Sequence, residues 1–420
     1  MNHIWLAGSI FLFTFALIVS EKIERTISAL LGGMAMIIFG IVSQDQAFHS
    51  IDWNVIFLLA GMMIIANVLK ETGLFQWIAL KAVKMGKGDP MRILIILSLV
   101  TAVTSAFLDN VTIVILIAPV TLFIASTLGV SPIPFLIAEV LASNIGGMAT
   151  LVGDPPNILI GSAANIDFLT FIANMGPISL IIMLAFIPAM MFMFKDELKV
   201  NEDDVIDIDT LDTESLITDP VLLRKALVVM TGVIIGFLVH GALHLQPATI
   251  ALTGATILML WGRSDPHKML QDVEWTTLFF FFGLFIAVEA VVEVGIIEEI
   301  AQKALELTGG DLPTTSMLLI WFSGISSGIV DNIPYTATMI PLVESMGLVM
   351  PVDVLWWSLA LGACLGGNFT LVGAAANVVV ASLAEKSGHK IDFWTFFKYG
   401  ASTTVVSLAI GSAYIWLRYL

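Results

Sequence analysis

Two stretches decide how this chain is read: Ser105-Ala-Phe-Leu-Asp109-Asn110-Val-Thr112 and Ser326-Ser-Gly-Ile-Val-Asp331-Asn332-Ile-Pro334-Tyr-Thr336. Each sits midway along an apolar segment, 92–128 and 313–347. Segments so apolar and so long belong in a bilayer. A carboxylate at that depth is costly unless it is paired, hydrated or protonated. Two carboxylates at matched positions, each beside an Asn, are therefore expected to bind or couple something. The plainer reading is that Asp109 and Asp331 cap the helix that follows. Capping and binding are compatible.

The rest of the chain agrees that lipid is its solvent. Of its 420 residues 58% are hydrophobic and 12% charged, about half the charged share of a soluble domain. The single Cys364 and six His leave little for a soft-metal site. His240 and His244 are read as a pair at a helix end rather than as metal ligands, and no metal is expected. The net charge of −16 is concentrated between Asp196 and Asp219, which hold ten acidic residues and one Lys. Such a run reads as a solvated linker. The first apolar run, Ile4–Val19, lacks a basic leader and a cleavage site and is read as a retained helix.

The chain repeats itself. Asp109-Asn110 recurs as Asp331-Asn332, Pro119 as Pro341, and Trp53, Gly61 and Gly73 as Trp275, Gly283 and Gly295. Gly146-Gly147 and Thr150-Leu-Val-Gly153 recur as Gly366-Gly367 and Thr370-Leu-Val-Gly373, and Asn157 recurs as Asn377. So many ordered matches mean internal duplication, which transporters commonly show. The expected fold class is an all-α polytopic membrane protein of two inverted repeats. Each repeat is expected to have about five crossings, one re-entrant hairpin and one broken helix. Residues 1–195 form the first repeat, with hairpin 92–128 and broken helix 134–164. Residues 196–221 form the acidic linker, and 222–420 the second repeat, with hairpin 313–347 and broken helix 354–384. With both termini outside, 16 of the 18 Lys and Arg fall in inside segments, and only Lys303 and Arg418 outside. That is a strong positive-inside bias. It puts the acidic linker inside, and the expected location is a prokaryotic inner (plasma) membrane.

The broken helices carry the second set of candidates. Asn144-Ile-Gly-Gly-Met-Ala-Thr150-Leu-Val-Gly153-Asp154-Pro155-Pro156-Asn157 cannot be continuous helix, because the two prolines remove donors and clash with the preceding turn. Half-helix ends at bilayer depth favour ions. The second copy, Gly366-Gly-Asn368-Phe-Thr370-Leu-Val-Gly373-Ala-Ala-Ala-Asn377, lacks the prolines and the Asp. Its break is expected to be softer, and the chemistry is expected to lean on the first half. Binding residues are thus expected among Asp109, Asn110, Thr112, Asn144, Thr150, Asp154, Asn157, Asp331, Asn332, Thr336, Asn368, Thr370 and Asn377. Glu139, on the helix leading into the first break, is a candidate proton relay. Sodium is considered at Asp109/Asn110 and at Asp331/Asn332. No phosphate loop of the GxxxxGK[ST] kind and no nucleophile–His pattern is present, so an enzyme is not expected. Basic residues flank membrane segments, so nucleic acid is not expected as a partner.

Taken together, the tip and break motifs resemble the ion transporter superfamily, whose shared domain goes by a citrate-transporter name. The nearest branch holds the arsenical pump (ArsB), the NhaD sodium–proton antiporters and the pigment-cell P protein. The second-half runs Asp331-Asn-Ile-Pro-Tyr-Thr-Ala-Thr-Met-Ile-Pro341 and Gly362-Ala-Cys-Leu-Gly-Gly-Asn-x-Thr-Leu-x-Gly373 are especially similar to the P protein. The resemblance implies a scaffold and a transport domain, a homodimer and elevator-like alternating access. It implies ion sites between hairpin tips and broken-helix loops. Related dicarboxylate symporters carry Ser-Asn-Thr tips, and this chain carries Asp-Asn-Val and Asp-Asn-Ile instead. Three carboxylates with no Arg or Lys in the motifs would repel a di-anion. They suit a proton, a cation or a neutral solute such as arsenous acid. The expected function is a proton- or sodium-coupled antiporter or exporter, of the arsenite-efflux or sodium–proton type. The alternatives are a sodium-coupled di- or tricarboxylate symporter and, more distantly, an ion channel. No cofactor is expected beyond the coupling ion. Partners would be a small inorganic solute or cation, the lipid bilayer and a second copy of the chain. An ATPase subunit stays open.

Overall fold

The computed structural model describes residues 2–20, 22–198 and 216–420. Residues 199–215, which hold most of the acidic linker read at 196–221, lie outside the described residues. Twenty helices and no strand occur among the described residues.

The first ten helices are α1 (Asn2–Ser20), α2 (Arg25–Ile38), α3 (Gln44–His49), α4 (Trp53–Glu71), α5 (Leu74–Met85), α6 (Pro90–Ser105), α7 (Asn110–Thr127), α8 (Ile133–Gly147), α9 (Pro155–Ala163) and α10 (Phe168–Phe194). The second ten repeat their order: α11 (Pro220–Leu243), α12 (Pro247–Gly262), α13 (Pro266–Gln271), α14 (Trp275–Glu293), α15 (Ile296–Thr308), α16 (Leu312–Val330), α17 (Asn332–Met346), α18 (Asp353–Gly366), α19 (Ala375–Lys386) and α20 (Phe393–Tyr419). Among the described residues eight helices are long and apolar enough to cross a membrane. Their outward faces are apolar: Phe13, Leu184 and Leu260 are exposed, Leu260 to 81%. Exposed apolar side chains along helices of this length suit a lipid-facing surface.

Acid caps start many of these helices. Asp52, Asp89, Asp167, Asp219, Asp311 and Asp392 each accept backbone N–H bonds at the first turn of the following helix. That satisfies orphan donors and places negative charge at the positive end of the helix dipole.

The repeat governs packing as well as order. Helix α2 crosses α14, and its repeat counterpart α12 crosses α4. Both crossings run through glycine. A Cβ on Gly283 would stand 2.3 Å from the backbone of Ala29, and one on Gly61 would stand 2.8 Å from that of Ala251. Ala29 and Ala251 are repeat partners, as are Gly61 and Gly283. Close backbone approach between small residues is how membrane helices associate when no hydrophobic effect separates them from lipid. The halves also interlock near the breaks. Helix α9 packs on α17, and α19 packs on α7.

One expectation is corrected, and one asymmetry emerges. First, the second break is not softer. Helix α8 stops at Gly147 and α9 starts at Pro155, while α18 stops at Gly366 and α19 starts at Ala375. Asp154 (φ −147°, ψ 132°) and Ala374 (φ −149°, ψ 144°) hold the same extended turn. The prolines are not what breaks the helix, because Asn377 does in the second half what Asn157 does in the first. Second, the tips match in sequence and differ in shape. Four residues, 106–109, join α6 to α7. Asp331 alone joins α16 to α17, at φ +88°, a conformation that costs a non-glycine residue about 1–3 kcal/mol.

Candidate functional site

Each tip Asp caps its own helix. Asp109 accepts from Thr112 N at 2.9 Å and from Thr112 Oγ1 at 3.0 Å. Asp331 accepts from Ile333 N at 3.0 Å. The caps turn the next residue of each tip, Asn110 and Asn332, inward, and both are buried. They meet at Asp154, which starts α9 and is fully buried. Asn110 Nδ2 donates to Asp154 Oδ1 at 3.3 Å, and Asn332 Nδ2 donates to Asp154 Oδ1 and Oδ2 at 3.3 Å each. One carboxylate thus receives an amide from each half of the molecule.

Around Asp154 runs a network of amides. Asn110 Nδ2 also donates to Asn144 Oδ1 at 3.0 Å. Asn144 Nδ2 donates across the halves to Asn368 Oδ1 at 2.8 Å and to Asn377 Oδ1 at 3.3 Å. Asn157 Nδ2 donates to the carbonyls of Gly147 and Thr150, at 3.1 and 2.8 Å. Asn377 Nδ2 repeats this on Gly367 and Thr370, at 2.7 and 2.9 Å. Each Asn ties up carbonyls that the broken helix leaves free, and this sets the break. Thr150 and Thr370 buckle each break to its hairpin by donating to the carbonyls of Ala106 and Gly328.

The structure sorts the sequence candidates by place. Asp109, Asn110, Asp154 and Asn332 line one small cavity of about 20 Å³. Asn144, Asn368, Asn157 and Asn377 form the layer beneath it, and Thr112 serves the Asp109 cap. Asp331 stands beside the cavity and faces a larger crevice. Thr336 bonds back to the carbonyl of Asn332 within its own helix. Glu139 lies buried on α8, accepts from Thr121 Oγ1 at 2.7 Å, and does not line the cavity.

Three residues enter the site that the motif reading passed over. Arg25, the first residue of α2, pairs with Asp331 at 3.3 Å and lines the small cavity. Glu274 lines it too. Arg25 lies outside the tip and break motifs, and Glu274 only adjoins the repeat residue Trp275, so no motif announces them. Cys364 donates to Asn157 Oδ1 at 3.1 Å. It occupies the repeat position of Asn144, which reaches Asn377, so the two halves cross-link reciprocally. That alignment was the available signal for Cys364.

Among the described residues, four acids and one guanidinium lie on or beside the cavity, so the site is acidic. Its polar ligands are oxygens and amides, a donor set suited to hard cations or protons. No group of three or more His, Cys, Asp or Glu placed to hold a metal occurs among the described residues.

Comparison with known proteins places this architecture. A sequence profile described as citrate transporter matches residues 15–362. An uncharacterized transporter of Mycobacterium tuberculosis is 46% identical over 99% of this chain and 98% of its own length. The human P protein is 32% identical over the whole of this chain, which spans 60% of that longer protein. Among solved structures, the YdaH transporter of Alcanivorax borkumensis superposes with a TM-score of 0.62 at 11% identity, over 96% of this chain and 98% of that one. MtrF of Neisseria gonorrhoeae gives 0.61 at 12%, over 92% and 84%. At such identities these two likenesses concern the fold. Profile, relatives and motifs agree: the chain belongs to the citrate transporter family of multi-pass membrane transporters, in the branch that its motifs resemble and that includes the P protein.

Proposed function

We propose that this transporter is a proton- or sodium-coupled antiporter or exporter, and that Asp154 is its central coupling group. The observation that carries the reading is the carboxylate of Asp154 held by one amide from each tip. A proton or cation arriving at Asp154 competes with Asn110 and Asn332 for the same oxygens. Occupancy therefore changes how the two tips are tied together, and this is what a coupled carrier needs. Asp109, Asp331 and Glu274 add negative charge that Arg25 only partly offsets, so a di-anion is disfavoured and a cation or neutral solute is suited. The fold is shared with MtrF, which is described as one of a class of antimetabolite efflux pumps. In this reading the termini lie outside, where the basic residues are few. The transport domain moves as an elevator, within a homodimer.

Sodium-coupled di- or tricarboxylate symport is the second reading. It is favoured by the family's name and by Arg25 in the cavity wall. A panel in proteoliposomes separates the two: arsenite, sodium, lithium, succinate and citrate, each with and without a pH gradient. Flux of a cation or of arsenite, driven by the pH gradient, is expected. Sodium-dependent succinate or citrate uptake without it would replace the first reading with the second.

A further inference from the structure

Arg25 stands between two spaces. It lines the small cavity around Asp154, and it lines a crevice of about 310 Å³ that opens where α1 ends and α2 begins. Among the described residues, Ala375 also lines both. Its partner Asp331 belongs to the α16–α17 tip, whereas Arg25 belongs to the α2–α14 crossing. The pair therefore joins the hairpin to the helices around it. Phe280 of α14 supports the guanidinium from 5.5 Å. The pair is only partly exposed, with side chains 31% and 15% accessible. Asp331 holds its place at φ +88°, so its backbone carries strain that the surrounding contacts sustain.

We propose that Arg25 is a tethered counter-cation that occupies Asp331 when no transported cation is present, locking the empty hairpin to its surroundings and shutting the small cavity off from the crevice. The inference rests on the cation-exchange reading above and extends it to why exchange is obligatory. A fixed guanidinium and a mobile cation compete for one carboxylate. When the cation wins, Arg25 lets go of the tip and the loaded carrier moves. When the cation leaves, Arg25 returns, and the empty carrier is held. A carrier that cannot return empty exchanges and does not leak. Arg25 is thus a positioning residue that acts through Asp331.

The test uses the full chain, carrying R25Q or R25K, with two readouts. In proteoliposomes, R25Q is expected to gain downhill sodium or lithium flux that needs no counter-ion, and to half-saturate at about fivefold lower cation, the factor expected from losing one partly exposed competing charge. R25K keeps obligatory exchange. In detergent, a cysteine at A375C is labelled by a polar thiol reagent, with the unsubstituted chain, whose Cys364 is buried, as background. Sodium or lithium is expected to speed labelling in the Arg25 protein, and R25Q to make it fast without either. If R25Q lowers all flux equally and leaves labelling unchanged, Arg25 is merely structural and the inference is overturned. If the wild-type protein exchanges no cation while R25Q still speeds labelling, the gate stands and the cation reading falls.

Discussion

At the scale of single residues, the site turns on what a carboxylate does that an amide cannot. Asp154 accepts from both tips and is fully buried. D154N keeps the shape and removes the titratable group, so folding should survive and coupling should not. Coupled flux is expected to fall at least about tenfold, which corresponds to about 1.4 kcal/mol. Initial rates in proteoliposomes, with yield and elution volume as the folding control, check this; unaltered flux would remove Asp154 from the mechanism. Asp109, Asn110 and the double proline after Asp154 were legible from sequence, because polar residues in apolar runs stand out. Arg25 was not. It lies beside ordinary membrane-flanking positives in sequence, and only the crossing of α2 over α14 carries it to the second tip.

At the scale of elements, the break in each helix rests on an asparagine. Asn157 and Asn377 each bind two loop carbonyls in buried surroundings. N157A and N377A leave these carbonyls without their partner, at about 1–3 kcal/mol per unsatisfied group. Both are expected to lower the melting temperature in detergent by several degrees. P155A with P156A should cost less than either, because the second half makes the same turn with alanines. A double proline variant less stable than N157A would return the break to the prolines. The helix crossings make a separate demand. In G283A the new methyl meets the Ala29 backbone at 2.3 Å, and overpacking of this kind costs about 1–3 kcal/mol. Reduced yield and melting temperature are expected, with G61A showing the same effect at the repeat-related crossing.

For the whole molecule, charge lies largely outside the apolar layer, and stability in acid should reflect the exposed caps. Thr314 side-chain and backbone hydrogen bonds hold Asp311 below the usual carboxylate range, and Thr395 does the same for Asp392 through its backbone and side chain. The folded protein thus binds fewer protons at these sites than the unfolded chain. Their stabilisation is complete above roughly pH 4 and is lost as pH falls through the lowered values. Thermal melts in detergent should be flat in this respect near neutrality and decline in acid. D311N with D392N should flatten that decline; an unchanged acid slope would show that these caps do not contribute.

Composition, hydropathy and the repeat were enough to establish a membrane fold of two related halves, because lipid tolerates only a narrow set of backbone arrangements and duplication leaves a linear trace. The same reasoning reached the tip and break residues. What only the tertiary structure decided is which of them meet. Asp154 sits between Asn110 and Asn332, Cys364 answers Asn144 across the halves, and Arg25 arrives from α2 to face Asp331. These contacts join residues as far as 306 positions apart. Close glycine crossings and interlocked half-helices set them in space, and no local sequence pattern encodes that distance.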